Sequence, residues 1–175
     1  MMISIRKAQP EDASAMATVH VTAWREAYRG IVSDEILENL SIQRRTEQWM
    51  NSLTDETHAY HRAFVAEGEG QVVGFAGYGA SQTEETDFDG ELFSIYILQA
   101  VHKQGVGRRL VNAVVKELRG MGCSSMMVWV LKDNPARGFY ERLGGKYLYE
   151  KTIQIGNDTL MEVAYGWRSL EKFPA

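Results

Sequence analysis

The chain predicts an α/β fold of about seven strands with flanking helices, and three observations carry that expectation. Strand-like and helix-like stretches follow in the order strand, two helices, three strands, helix, strand, helix, two strands. A Gly-x-Gly turn, Gly105-Val106-Gly107, joins the apolar run at residues 92–98 to a helix. A second apolar run, residues 125–131, leads through Asn134-Pro135 into a short helical stretch closed by Gly144-Gly145. At 175 residues the chain is one domain by length, residues 1–175, able to bury roughly 70% of its unfolded surface.

Each element has a local reason. Residues 3–8 alternate as a first strand. Pro10-Glu11-Asp12 opens a helix whose apolar face runs from Ala13 through Met16, Val19, His20, Ala23 and Trp24 to Ala27, stopping at Gly30. Ser33-Asp34-Glu35 reads as a fresh helix cap before Ile36, Leu37 and Leu40, and residues 44–53 form a helix with Trp49 and Met50 inward. Strands at 62–67 and 71–78 turn at Gly68-Glu69-Gly70, and an acidic loop with Glu84, Glu85, Asp87 and Asp89 follows. In the next strand, two-residue alternation places Glu91, Phe93, Ile95 and Ile97 on one face. Leu110, Val111, Val114, Val115 and Leu118 then recur at helical spacing. Asn134 is an N-cap for the short helix with Pro135 as its first residue, and two strands near 146–155 and 159–167 turn at Gly156-Asn157-Asp158.

Composition narrows the function. A formal net charge of −4 argues against a nucleic-acid binder. The lone cysteine, Cys123, excludes an internal disulfide, fits a reducing cytosol and reads as a small turn residue. No apolar run approaches the ~20 residues of a membrane span, and no signal-peptide core is present, so a soluble cytoplasmic protein with no membrane partner is expected. His102 has no ligand spacing with His20, His58 or His61, so no metal site is expected.

The Gly-x-Gly turn carries most of the functional signal. Bare backbone N–H groups at a helix N-terminus favour phosphate, and Lys103, Arg108 and Arg109 add cationic charge there. The string lacks the Gly-Lys-Ser/Thr ending of a Walker loop, and Leu110 stands where a dinucleotide fingerprint needs its third glycine. What remains, together with the downstream strand, Asn134 and Phe139-Tyr140-Glu141-Arg142-Leu143-Gly144, resembles the GNAT superfamily of acetyl-CoA-dependent N-acetyltransferases. The resemblance is close over residues 91–145 and looser at residues 3–12.

The resemblance implies a mostly antiparallel, twisted mixed sheet with a central parallel pair at the strands ending near Leu98 and Leu131. It implies acetyl-CoA as the acyl donor, its pyrophosphate on the loop His102, Lys103, Gln104, Gly105, Val106, Gly107, Arg108 and Arg109. The pantetheine arm would pair with the backbone of Tyr96 and Ile97, running on to Leu98, with Ile97 N–H as oxyanion donor. His102 stands where the family usually carries Gln or Arg. Asn134, or Asp133 one residue earlier, would touch the cofactor, with Asn134 favoured by its Pro neighbour. Tyr140 would protonate the leaving thiolate, and Glu91 matches the offset of a glutamate base. Both also have plain readings, as a core aromatic and as a strand-end carboxylate. Trp24, Tyr28 and Tyr96 would line the acceptor site, and the acidic loop would steer a cationic amine. The expected activity is acetyl transfer from acetyl-CoA to a primary amine, small or peptide-borne, by direct attack in a ternary complex. A protein N-terminal or lysine acetyltransferase, or a CoA-binding sensor without turnover, are the alternatives; a homodimer is left open.

Overall fold

The computed structural model describes residues 1–55, 62–84 and 86–174, and its seven strands form one sheet in the order β1-β2-β3-β4-β5-β7-β6. The strands are β1 (Ile3–Lys7), β2 (Arg62–Gly68), β3 (Gln71–Ala80), β4 (Gly90–Ile97), β5 (Met126–Leu131), β6 (Lys146–Ile155) and β7 (Asp158–Trp167). The helices are α1 (Ala13–Ala27), α2 (Asp34–Glu38), α3 (Ile42–Thr54), α4 (Val106–Gly120) and α5 (Arg137–Arg142). All neighbours run antiparallel except β4 and β5, the mixed sheet with one central parallel pair that the sequence led us to expect.

Helix α4 buries Val106, Leu110, Val111, Val114, Val115 and Leu118 against one sheet face, the core stripe read from its spacing. On the other face, Met16 and Val19 of α1 meet Phe75 of β3, with Trp49 and Leu53 of α3 packed alongside. Two boundaries differ from the sequence reading. Pro10, Glu11 and Asp12 form a 3-10 turn before α1 begins at Ala13. Helix α5 begins at Arg137, so Asn134 is no N-cap: its Oδ1 accepts from Ala136 N at 2.9 Å, and Pro135 lies in that turn. His58, His61 and Glu85 lie outside the described residues.

The parallel pair is pinned at its start by Asp89. Its two carboxylate oxygens accept four hydrogen bonds of 2.8–3.2 Å from the backbone N–H and hydroxyl groups of Ser124 and Ser125. Burial works to raise the Asp89 pKa, but these four donors hold it below the usual carboxylate value. Asp89 is therefore a clamp, where the sequence suggested an acceptor-steering rim. Because the residue is partly exposed, Asp89→Ala is expected to cost about 1–2 kcal/mol and lower the melting temperature by several degrees. The folded pKa is depressed, so this contribution is present above the unfolded value and is lost as pH falls through the folded one. Melting curves of both proteins at neutral pH and near pH 3 check this. Equal midpoints at neutral pH would remove the clamp.

Candidate acyl-transfer site

Strand β4 contains a bulge that makes the site. Gly77 pairs with Ser94 and Tyr78 with Leu92, leaving Phe93 as the extra residue. A bulge bends its strand and shifts side-chain alternation by one. Pairing between β4 and β5 covers Gly90, Glu91 and Leu92 only, and beyond the bulge the two strands part. The alternation expected for Glu91, Phe93, Ile95 and Ile97 therefore fails. Leu92, Ile95 and Ile97 pack toward α4, while Tyr96 packs on the opposite face against α1 and β3. Leu98 N donates to Val73 O at 2.9 Å, so by alternation the backbone of Tyr96 also faces β3, whereas Ile95 and Ile97 present theirs to the gap. What Tyr96 gives to the site is its ring, not the backbone pairing expected of it.

Beside this gap stands the N-terminus of α4. Gly105, at φ +77°, caps the helix in a left-handed conformation with open space where a side chain would project. The first helical bond is Arg109 N to Gly105 O, so the N–H groups of Val106 and Gly107 have no helical acceptor. Gly107 serves a different purpose. A Cβ there would lie 3.1 Å from the Phe139 ring and 3.3 Å from Ile97 Cδ1, so its bare Cα lets α4 sit against both α5 and β4. Lys103 is exposed, with φ +62°, and Gln104 is exposed beside it. His102 turns inward to the strand, Nε2 lying 2.9 Å from Ile97 O. Arg109 reaches away, donating to Ile3 O at 2.8 Å on β1, so its guanidinium is committed to the fold and not to the loop.

On the α1 side, a polar aromatic cluster closes around Tyr96. His20 stacks on the Tyr96 ring at 4.6 Å, and Trp24 meets Tyr28 edge-on at 4.8 Å. Asn134 Nδ2 lies 3.3 Å from the Tyr28 hydroxyl, joining α1 to the turn after β5, while Asp133 is exposed. Burial, aided by the charge of Arg45, lowers the His20 pKa to about 3, so its ring is neutral. Neither ring nitrogen of His20, nor Trp24 Nε1, meets a hydrogen-bond partner among the described residues. Burial raises the Tyr96 pKa; the Trp24 indole and Tyr28 hydroxyl oppose that shift, although the Trp24 contact falls short of hydrogen-bond geometry. Tyr140, 4% exposed, and Tyr28 are likewise held protonated, by burial first and then by the Tyr96 hydroxyl. The phenols of Tyr28, Tyr96 and Tyr140 thus lie close enough to act on one another. Helix α5 is fixed there by Tyr165, which donates to Glu141 Oε1 at 2.7 Å and accepts from Arg137 Nε at 3.0 Å.

Glu91 stands on the face away from α4, in an open groove of about 500 Å³ with Thr83, Glu84, Trp129, Tyr149 and Lys151. It is 7% exposed. Trp129 Nε1 donates to Thr83 Oγ1 at 3.0 Å, and Thr83 Oγ1 donates to Glu91 Oε1 at 2.8 Å, with Ser81 Oγ adding a third contact at 3.1 Å. A buried carboxylate fixed by hydroxyl donors and open to a groove can take a proton from a bound amine. Thr83, Trp129, Tyr149 and Lys151 were not singled out in the sequence; their only signal was the odd-numbered alternation that puts Met127 and Trp129 on one face. Of the expected acidic rim, Asp87 is paired with Arg168 at 2.7 Å, which keeps its pKa low, and Asp89 is the clamp described above. Cys123 lies at the far end of the parallel pair, its thiol 3.7 Å from Asp89 O, and burial pushes its pKa up.

A bulge-split parallel pair with a helix N-terminus beside the gap forms a crevice that a phosphate-bearing ligand fits. The chain matches the acetyltransferase (GNAT) family over residues 11–145 and belongs to it. It is 35% identical over 170 residues, 97% of this chain and 95% of the relative, to an uncharacterized N-acetyltransferase, YuaI, of Bacillus subtilis. It is 27% identical, over 80% of this chain and 78% of the relative, to a probable N-acetyltransferase, Rv2775, of Mycobacterium tuberculosis. In fold it resembles a PaiA N-acetyltransferase from Thermoplasma acidophilum, solved in complex with coenzyme A: TM-score 0.74, 23% identity, 93% of this chain and 98% of that one. The protein is an acetyltransferase of this family.

Proposed function

We propose that residues 1–175 act as one acetyl-CoA-dependent N-acetyltransferase domain, passing an acetyl group directly to a primary amine in a ternary complex. The observation that carries this reading is the Phe93 bulge. It opens a gap edged by the Ile95 and Ile97 backbone that β3 does not use, with Ile97 O held by His102, directly against the α4 N-terminus through the Ile97–Gly107 contact. The gap and loop fit a pantetheine arm and a pyrophosphate respectively. When bound, acetyl-CoA supplies the acetyl carbon, which bonds to the acceptor nitrogen as its bond to sulfur breaks.

The chain's own groups do the rest. Backbone N–H groups from Lys103 through Arg108 hold the phosphates, and Ile97 N–H, turned into the gap, donates to the carbonyl oxygen as charge gathers on it. Glu91 receives the ammonium proton through a chain of waters, since five residues of β4 lie between it and Ile97. Trp24, Tyr28 and Tyr96 wall the gap beside the acceptor. The Tyr140 hydroxyl, kept protonated by burial, donates a hydrogen bond to the departing sulfur. Direct transfer is supported by Cys123, the only cysteine, which stands at the opposite end of the parallel pair. That lone, unpaired cysteine also supports a reducing compartment such as the cytoplasm.

Thiol release from acetyl-CoA with a panel of primary amines tests the proposal: amine-dependent release is expected, and binding of acetyl-CoA without release from any amine would overturn it. Gly107→Val should weaken acetyl-CoA binding at least tenfold, about 1.4 kcal/mol. The added methyls would strike Phe139 and Ile97 and push the α4 N-terminus out of line with the gap. Calorimetry checks this, and unchanged affinity would detach the loop from the cofactor.

A further inference from the structure

A cation already stands in the groove that holds Glu91. Lys151 Nζ lies 4.1 Å from the centroid of the Trp129 ring and 3.3 Å from Glu162 Oε1. The strand registers put these groups on one face: Glu91 opposite Met127, Trp129 opposite Ala164, and Glu162 opposite both Leu131 and Lys151. Two carboxylates thus lie along one groove, with an aromatic plane between them whose edge is tied to Glu91 through Thr83. Glu162 is 16% exposed at its side chain, and Lys151 is 49% exposed. An ion pair with one partner so exposed contributes little, so releasing Lys151 to solvent costs little. Burial raises the Glu162 pKa against the opposing pull of Lys151, and the negative Glu91 adds to that rise, so a second cation is favoured at this place.

We propose that the Trp129–Glu162 place binds the far ammonium of an aliphatic diamine acceptor, and that Lys151 holds it until the acceptor arrives. The inference rests on the acetyl-transfer reading for what happens at Glu91, but binding at the second place does not depend on turnover. Glu91 pairs with Met127 across one strand spacing, and Trp129 lies two residues further along β5, about 8 Å from Glu91 by strand geometry, so a chain of about five methylenes spans the two places. Glu84, Glu91 and Glu162 outnumber Lys151 in and beside the groove, so a dication is preferred over a monocation. The ring face supplies cation–π attraction, which the apolar end of a monoamine cannot use.

Calorimetry on the coenzyme A-loaded protein, comparing cadaverine with n-pentylamine, tests this. Cadaverine is expected to bind at least tenfold more tightly, an advantage that shrinks with added salt. Glu162→Gln should bring the ratio of the two dissociation constants toward one. Lys151→Met, which removes the internal competitor while leaving Glu162, should raise it. Equal binding of the two amines by the unaltered protein, or a ratio that neither variant moves, would overturn the diamine site. Thiol release followed in parallel separates the two readings. A strong diamine preference in binding with no acetylation would overturn the transferase proposal and leave this site standing.

Discussion

Glu91→Gln is expected to lower kcat/KM for the amine by about 10²–10⁴-fold, the usual contribution of a positioned general base. The substitution keeps the shape of the side chain and an oxygen that can accept from Thr83 and Ser81, so the local fold should survive. Only the ability to take the ammonium proton is removed. An amine with a pKa near 10 is mostly charged at neutral pH and cannot attack until that proton leaves. Acetyl-CoA affinity should hold within a factor of two or so in the variant. A variant that turns over at the wild-type rate would reduce Glu91 to a buried strand residue and move the proton's exit to water.

Tyr140→Phe is expected to lower kcat by about 10²–10³-fold, the usual effect of deleting one donor aimed at developing charge. The structure changes what is asked of this hydroxyl. Burial raises its pKa well above the ordinary phenol value of about 10, while a thiol ionises near 8.5. Complete proton transfer from Tyr140 to a thiolate would run uphill, so its role is a hydrogen bond to the sulfur. The same shift keeps the proton in place through ordinary pH, so Tyr140 should contribute no falling limb below about pH 10. Phe keeps the ring contacts with Phe139, Tyr165 and Trp167, so the melting temperature should hardly move. Wild-type kcat in this variant would make Tyr140 a core aromatic.

These two residues also show how far the sequence could be read. Tyr140 was legible because its signals are local: a strand, an Asn-Pro pair, a short helix and a glycine stop within about twenty residues. The same holds for Gly105 at the head of α4. Glu91 was legible as a position but not as an orientation. The alternation that set it beside Ile95 and Ile97 assumed an unbroken strand, and the Phe93 bulge exists only in how β4 pairs with β3. Arg109 was misplaced for a related reason. Its neighbours in sequence suggested the phosphate loop, but its partner, the Ile3 carbonyl, is more than a hundred residues away. Asp89 looked like rim charge until Ser124 and Ser125 folded over it.

The sequence by itself determined the element order and the glycine turn at the head of α4, because hydrophobic period, caps and glycine turns act within a few residues; the seven-stranded mixed sheet and the family followed from the resemblance those motifs carry. Tertiary structure alone decided where β4 and β5 part, which face Glu91 serves, and that Trp129 and Lys151 share a groove with it, with Glu162 paired to Lys151. Strand register sets those relations, and register is fixed by cross-strand pairing between segments far apart in the chain, where a single extra residue reverses every side chain that follows.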